Sequence, residues 1–244
     1  RIPTFAFMLA FLFTGCASAG AVENTSQEEA PNETPMVLAT ETATLDEALE
    51  AANAFASDVN NYEAQRARTT AQVQRATNRA LEVLDGSPTA ADVREATRSW
   101  RSDWDAVREE VNTLASQYAA VSATAVGYFH HLDAQTANIT NDDLRVEEQE
   151  RNDEIAASWE AMSNEALQAL RTVRANLNSG DDLHVTMLNA SLRSGFDTHV
   201  ERLRTLGEDT EDALEALRAV TEEGEELVGS IEDDEERDAN DEDA

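Results

Sequence analysis

The 244-residue chain has no lysine and one cysteine, Cys16. Proline and glycine number only 4 and 9, and aromatic residues make up 5%. The 18 basic side chains are all arginine and stand against 50 acids, for a formal charge of -32. Each shortage excludes something. Without lysine there is no Schiff-base chemistry and no phosphate-binding loop of the lysine type. Without clustered basic residues, general binding of nucleic acid is excluded, because phosphate contacts need them. Scarce glycine and proline argue against a loop-rich or sheet-rich domain. A lone cysteine makes no internal disulfide.

What is present points the other way. Alanine supplies 41 residues, and with glutamate and arginine it favours helix. An acidic chain of this kind repels itself, and salt screens that repulsion: the Debye length is about 3 Å at 1 M against about 10 Å at 0.1 M. A lysine-free acidic surface is therefore expected from a halophilic setting.

Residues 2–15 read IPTFAFMLAFLFTG, an uncharged apolar run. It is too short to span a membrane, which takes about 20 residues, and has the length of a signal-peptide core. Arg1 reads as the last remnant of a basic n-region in a chain truncated at its start. Two cleavage readings compete. Phe13-Thr14-Gly15-Cys16 fits a lipobox in which Cys16 becomes the lipidated first residue, although Phe13 departs from the usual Leu or Val. Ala17-Ser18-Ala19 fits ordinary cleavage. The lipobox is the preferred reading, since the only cysteine falls right after Thr-Gly. Either way the mature chain keeps no free thiol. Multiple acyl chains would tether it stably, where a single one anchors weakly.

The chain divides into four segments: a signal peptide over 1–15, a lipid-anchor cysteine and flexible acidic tether over 16–43, a helical coiled-coil bundle over 44–231, and a disordered acidic tail over 232–244 with nine acids in thirteen residues. Asn24, Asn32, Asn138 and Asn189 head sequons of the kind that chance supplies in such a composition.

Within 44–231, apolar residues recur at alternating spacings of three and four. Thr44-Leu45-Asp46-Glu47 is a capping box. The first helix carries the rows Leu45, Ala52, Val59, Arg66, Val73, Ala80 and Ala48, Phe55, Tyr62, Thr69, Ala76, Val83. Arg66 either pairs with a facing carboxylate or reaches solvent. Asp85-Gly86-Ser87-Pro88 ends this helix and opens the next. The second stripe runs Val93, Thr97, Trp100, Trp104, Val107, Val111, Leu114, Tyr118, Val121, Ala125, Tyr128, Leu132. Near Asn141 the helix either breaks, with Thr140 and Asp143 as caps, or runs through. The stripe resumes at Ile155, Trp159, Met162, Ala166, Ala169, Val173 and is expected to stop at Asn178-Ser179-Gly180. A last helix is expected over 181–231, with Asp181 and Asp182 at its positive end and Phe196, His199, Leu203, Leu206, Thr210, Ala213, Leu217, Val220, Gly224, Leu227, Ile231 on its stripe. The fold class is all-α: an elongated antiparallel coiled coil or bundle of three to four long helices.

A search for chemistry finds little. G-x-G-x-x-G, G-x-S-x-G, E-x-x-H and H-E-x-x-H are all missing. His130-His131 with Asp133 is the only local histidine cluster, and neighbours on a helix point about 100° apart, which suits a surface pair better than one metal ion. His199 reads as a hydrogen-bonded core residue, and Trp100, Trp104, Tyr118 and Tyr128 as core anchors rather than a groove. No catalytic, cofactor or metal residue is expected, and lipidation of Cys16 is the one assigned site.

Several segments together resemble a family of uncharacterised bacterial helical lipoproteins: the lipobox-like start, Asp103-Trp104-Asp105, Asp143-Leu144-Arg145 and Leu188-Asn189-Ala190. Thr186-Met187 stands where that family has a His-Asn pair, and the spacing from the Trp step to the Leu-Arg step is longer. The resemblance implies a helical envelope protein and carries no activity. The expectation is a non-catalytic, lipid-anchored scaffold, spacer or self-assembling module outside the cytoplasm. Its expected partners are the membrane, through the lipid, and a protein or a second copy through its helices. The alternative is a ligand-binding or sensory helical module.

Overall fold

In the computed structural model the stripes become four helices: α1 (Leu45–Leu84), α2 (Ala90–Ala137), α3 (Asp142–Ala190) and α4 (Asp197–Ala216). A further helical stretch covers 219–227. The described residues are 45–86, 88–191 and 197–227, all within the compact unit Glu41–Ala244. Thr44, Cys16, the tether and the acidic tail lie outside them. Among the described residues there is no strand, and no helix is long and apolar enough to cross a membrane. At 1.5 Å per residue, α2 and α3 are each about 70 Å long.

The helix ends follow local chemistry. Gly86 takes φ +128°, the left-handed conformation that ends α1. Thr89 caps α2 in a full capping box with Asp92, so Pro88 precedes the cap rather than opening the first turn. The chain does break at 138–141. Asn141, not Thr140, caps α3: its side-chain Oδ1 accepts from the amides of Asp143 at 3.0 Å and Leu144 at 3.4 Å.

Two expectations are corrected. The stop at Asn178-Ser179-Gly180 does not exist, and α3 runs through it to Ala190. The last helix therefore starts at Asp197, not at 181, and it is interrupted at Leu217–Arg218. Asp181 caps nothing. It accepts from Arg108 of α2 at 2.6 Å and lies 3.7 Å from Arg101.

Each helix packs against two others: α1 on α2 and α4, α3 on α2 and α4. Cross-helix bonds set the directions. Trp100 reaches Gly180 and Tyr118 reaches Ser163, so α2 and α3 are antiparallel. Gln65 meets Glu110 and Arg79 meets Asp103, so α1 and α2 are too. Gln74 meets Glu211 and Arg66 meets Leu214, which makes α4 antiparallel to α1. Among the described residues most stripe positions are buried, while Ala48, Leu132, Ile155 and His199 are half-buried, Val83 is displaced to the surface and Leu84 is buried in its place. Leu45, Phe196 and Ile231 of the stripes lie outside the residues whose burial is described. Much of the core is small: Ala52, Ala76, Ala80, Ala96, Ala125, Ala166 and Thr69, Thr97, Thr210 are buried. Small residues let helices approach closely but bury little apolar area each. Aromatic side chains meet at several levels, among them Tyr62 with Tyr118 at 6.3 Å. Trp100 and Trp104 stack at 4.6 Å, and Phe55 meets Tyr128 at 5.9 Å and Trp159 at 5.2 Å.

Candidate functional site

The most built feature of the described chain is a polar network where α1 meets α4. Tyr62, Gln65, Arg66 and Thr69 fall on the buried side of α1. Arg66 is 8% exposed, and its guanidinium donates to both carboxylate oxygens of Glu63, one turn back, at 2.7 Å each. From the same group Nη1 reaches Glu215 at 3.3 Å and the carbonyl of Leu214 at 3.4 Å. Of the two readings of Arg66, the structure realises the paired one.

Tyr62 donates to the carbonyl of Leu217 at 3.1 Å, and Thr221 donates to Glu63 at 3.0 Å. Arg66 holds the Glu63 carboxyl below its usual range against an opposing effect of burial. Burial pushes the Tyr62 phenol well above its own range, so it stays a neutral donor. On the other flank, Gln65 donates to the backbone and the carboxylate of Glu110, at 3.1 and 2.6 Å, and accepts from Arg68.

The bonds of Tyr62, Gln65 and Thr221, and those of Arg66 to Leu214 and Glu215, cross to carbonyls and carboxylates of a neighbouring helical segment, the pattern that fixes register in a bundle. Arg66→Met is expected to lower stability by about 1–3 kcal/mol, since it strands the Leu214 carbonyl and the partly exposed Glu63. Urea unfolding reads this as a lower midpoint with unchanged slope.

The second feature is the tryptophan pair. Both residues are 1% exposed. Trp100 donates to the carbonyl of Gly180 at 3.1 Å and Trp104 to that of Leu177 at 3.0 Å. The indoles anchor α2 on α3. A groove of about 390 Å³ does lie between α3 and α4, lined by Asn176, Ser179, Asp182, Leu183, Thr186, Glu201, Arg202, Thr205, Leu206 and Asp209.

The histidines do not assemble. His130 is exposed and His131 half-buried, with rings 6.2 Å apart. Asp133 beside them is held above the usual carboxylate range by burial and by Asp153 across the hairpin, partly offset by His130. Among the described residues no group of three His, Cys, Asp or Glu is arranged to hold a metal ion. His199 is half-buried, and its Nδ1 is enclosed without a hydrogen-bond partner, which corrects the expectation of a bonded core histidine at that atom.

Burial, then Arg202, holds His199 below its ordinary value of 6.5. The neutral form is thus favoured in the fold, and the unfolded chain takes up the proton first as pH falls. The stability His199 contributes is complete above pH 6.5 and lost as pH falls from there through its lowered folded value. His199→Leu is expected to flatten the melting temperature over that window.

Cys16, the one assigned site residue, lies outside the described residues. Within the network, Arg66 is visible in the sequence as a polar step in an apolar row. Tyr62 is hidden there as an ordinary stripe aromatic, and Glu63 and Thr221 carry no signal. Compared with protein-family models, curated proteins and solved structures, the chain matches none.

Proposed function

We propose that the protein is a non-catalytic helical module of a bacterial cell envelope, tethered by lipid on Cys16 and working through contact along its length as a scaffold, spacer or self-assembling unit. The observation that carries this reading is where the polar chemistry sits. The buried Arg66, Tyr62, Gln65, Trp100 and Trp104 are all turned to neighbouring helices of the same bundle. Such side chains hold shape rather than convert a substrate. The Phe13-Thr14-Gly15-Cys16 sequence and the tether after it supply the placement. Exposed Leu144, Val146, Leu167, Val185 and Leu188 on α3 offer apolar points to a partner.

The test is chemical crosslinking in membranes kept at native salt. A repeated adduct with a second copy or a particular envelope protein supports the reading, and a protein that stays monomeric and uncrosslinked sinks it. The α3–α4 groove favours the second reading, a ligand-binding module. Reproducible thermal stabilisation by a small ligand, abolished by changing Arg202, would select that one instead.

A further inference from the structure

The interruption of α4 has no local cause. Residues 213–219 read Ala-Leu-Glu-Ala-Leu-Arg-Ala, strong helix formers with neither glycine nor proline. Yet the hydrogen-bond ladder changes there. The Arg218 amide turns to Glu215 at 2.9 Å, and the Thr221 amide to Arg218 at 2.9 Å, both at the three-residue spacing of a 3₁₀ turn. The Leu214 carbonyl accepts from Arg66 of α1 at 3.4 Å, and the Leu217 carbonyl accepts from Tyr62 at 3.1 Å as well as from the Val220 amide at 3.3 Å. Insertion of a side chain into the ladder is one of the few causes of a sharp helix break.

We propose that Leu217–Arg218 is a conformational switch which Tyr62 and Arg66 hold in its interrupted form, laying residues 219–227 along α1. Without those donors α4 regains its intrinsic preference and runs straight. A 3₁₀ turn advances roughly 20° more per residue than an α turn, so straightening over three residues rotates the 219–227 stretch by about 60°. Thr221 then leaves Glu63, and Gly224 leaves Val59. That second contact tolerates no loose fit: a Cβ on Gly224 would stand 2.7 Å from Val59. Release loosens the cover over Val59, which is 2% exposed in the locked form. The lock thus governs how residues 219–227 sit on α1.

Distances between spin labels test this in the full chain carrying Cys16→Ser. One pair, Asn60→Cys with Glu225→Cys, spans the seam beyond the break. A control pair, Asn78→Cys with Glu208→Cys, spans it before the break. With Tyr62 and Arg66 intact, both pairs should give one narrow distribution. With Tyr62→Phe and Arg66→Met, the control should hold while the distal pair gains a longer distance as its main population. An unchanged distal pair overturns the proposal. So does loss of both distances with helicity retained, because the network would then hold the whole seam. If the double variant fails to fold, Tyr62→Phe alone, which removes a single hydroxyl, must still show a distal population absent from the parent.

Discussion

Gly180→Ala is expected to cost about 2–4 kcal/mol, although alanine is the better helix former by about 1 kcal/mol. Gly180 lies mid-helix in α3, and a Cβ there would stand 2.0 Å from Nε1 and 2.2 Å from Cε2 of Trp104. The indole has nowhere to go: it is buried, stacked on Trp100 at 4.6 Å, and bonded to Leu177. Making room breaks indole hydrogen bonds worth about 1 kcal/mol each and separates α2 from α3. For a bundle of this size the melting temperature should fall by roughly 5–15 °C. Gly127→Ala supplies the contrast, since nothing lies within 4 Å of its Cβ position in α2. That substitution should stabilise by up to about 1 kcal/mol, the ordinary gain of alanine in a helix. Two equal changes of composition with opposite signs separate packing from propensity, and thermal melts of both variants read the difference.

Removal of salt is expected to unwind much of the helix. The chain carries -32 formal charges, and at roughly 10 mM salt the Debye length of about 30 Å lets acids on different helices repel one another. Compensation is weak. Arg151–Glu148, Arg204–Glu201 and Arg101–Asp105 are exposed pairs three or four residues apart, each worth about 0.3–0.5 kcal/mol. A core with alanine and threonine at so many buried positions holds little in reserve. Circular dichroism should lose helical signal on desalting and regain it at molar salt; a spectrum that does not change would refute the salt requirement.

Why one part of this fold is readable and another is not shows in particular residues. Val93 to Tyr128 are legible because a buried helix face repeats every three or four residues whatever it packs against. Gly86 is legible because only its own φ matters. Gly180 misleads because its reason lies on another helix: next to Asn178 and Ser179 it looks like a stop, while in space it is the slot for an indole. The break at Leu217–Arg218 is invisible for the same reason, being imposed by Tyr62 and Arg66 on a stretch that locally prefers helix. The register network is half legible, through Arg66 alone, since a hydroxyl–carboxylate bond between residues 63 and 221 leaves no pattern in either neighbourhood.

The proposed role stands or falls on attachment, because a contact module of the envelope has to be held there. Intact-mass analysis of the protein recovered from its own membranes measures this in one step. A tethered module predicts a mature chain that begins at Cys16 and carries the added mass of acyl chains. An unmodified chain that begins after Ala19 and stays in the soluble fraction would contradict it.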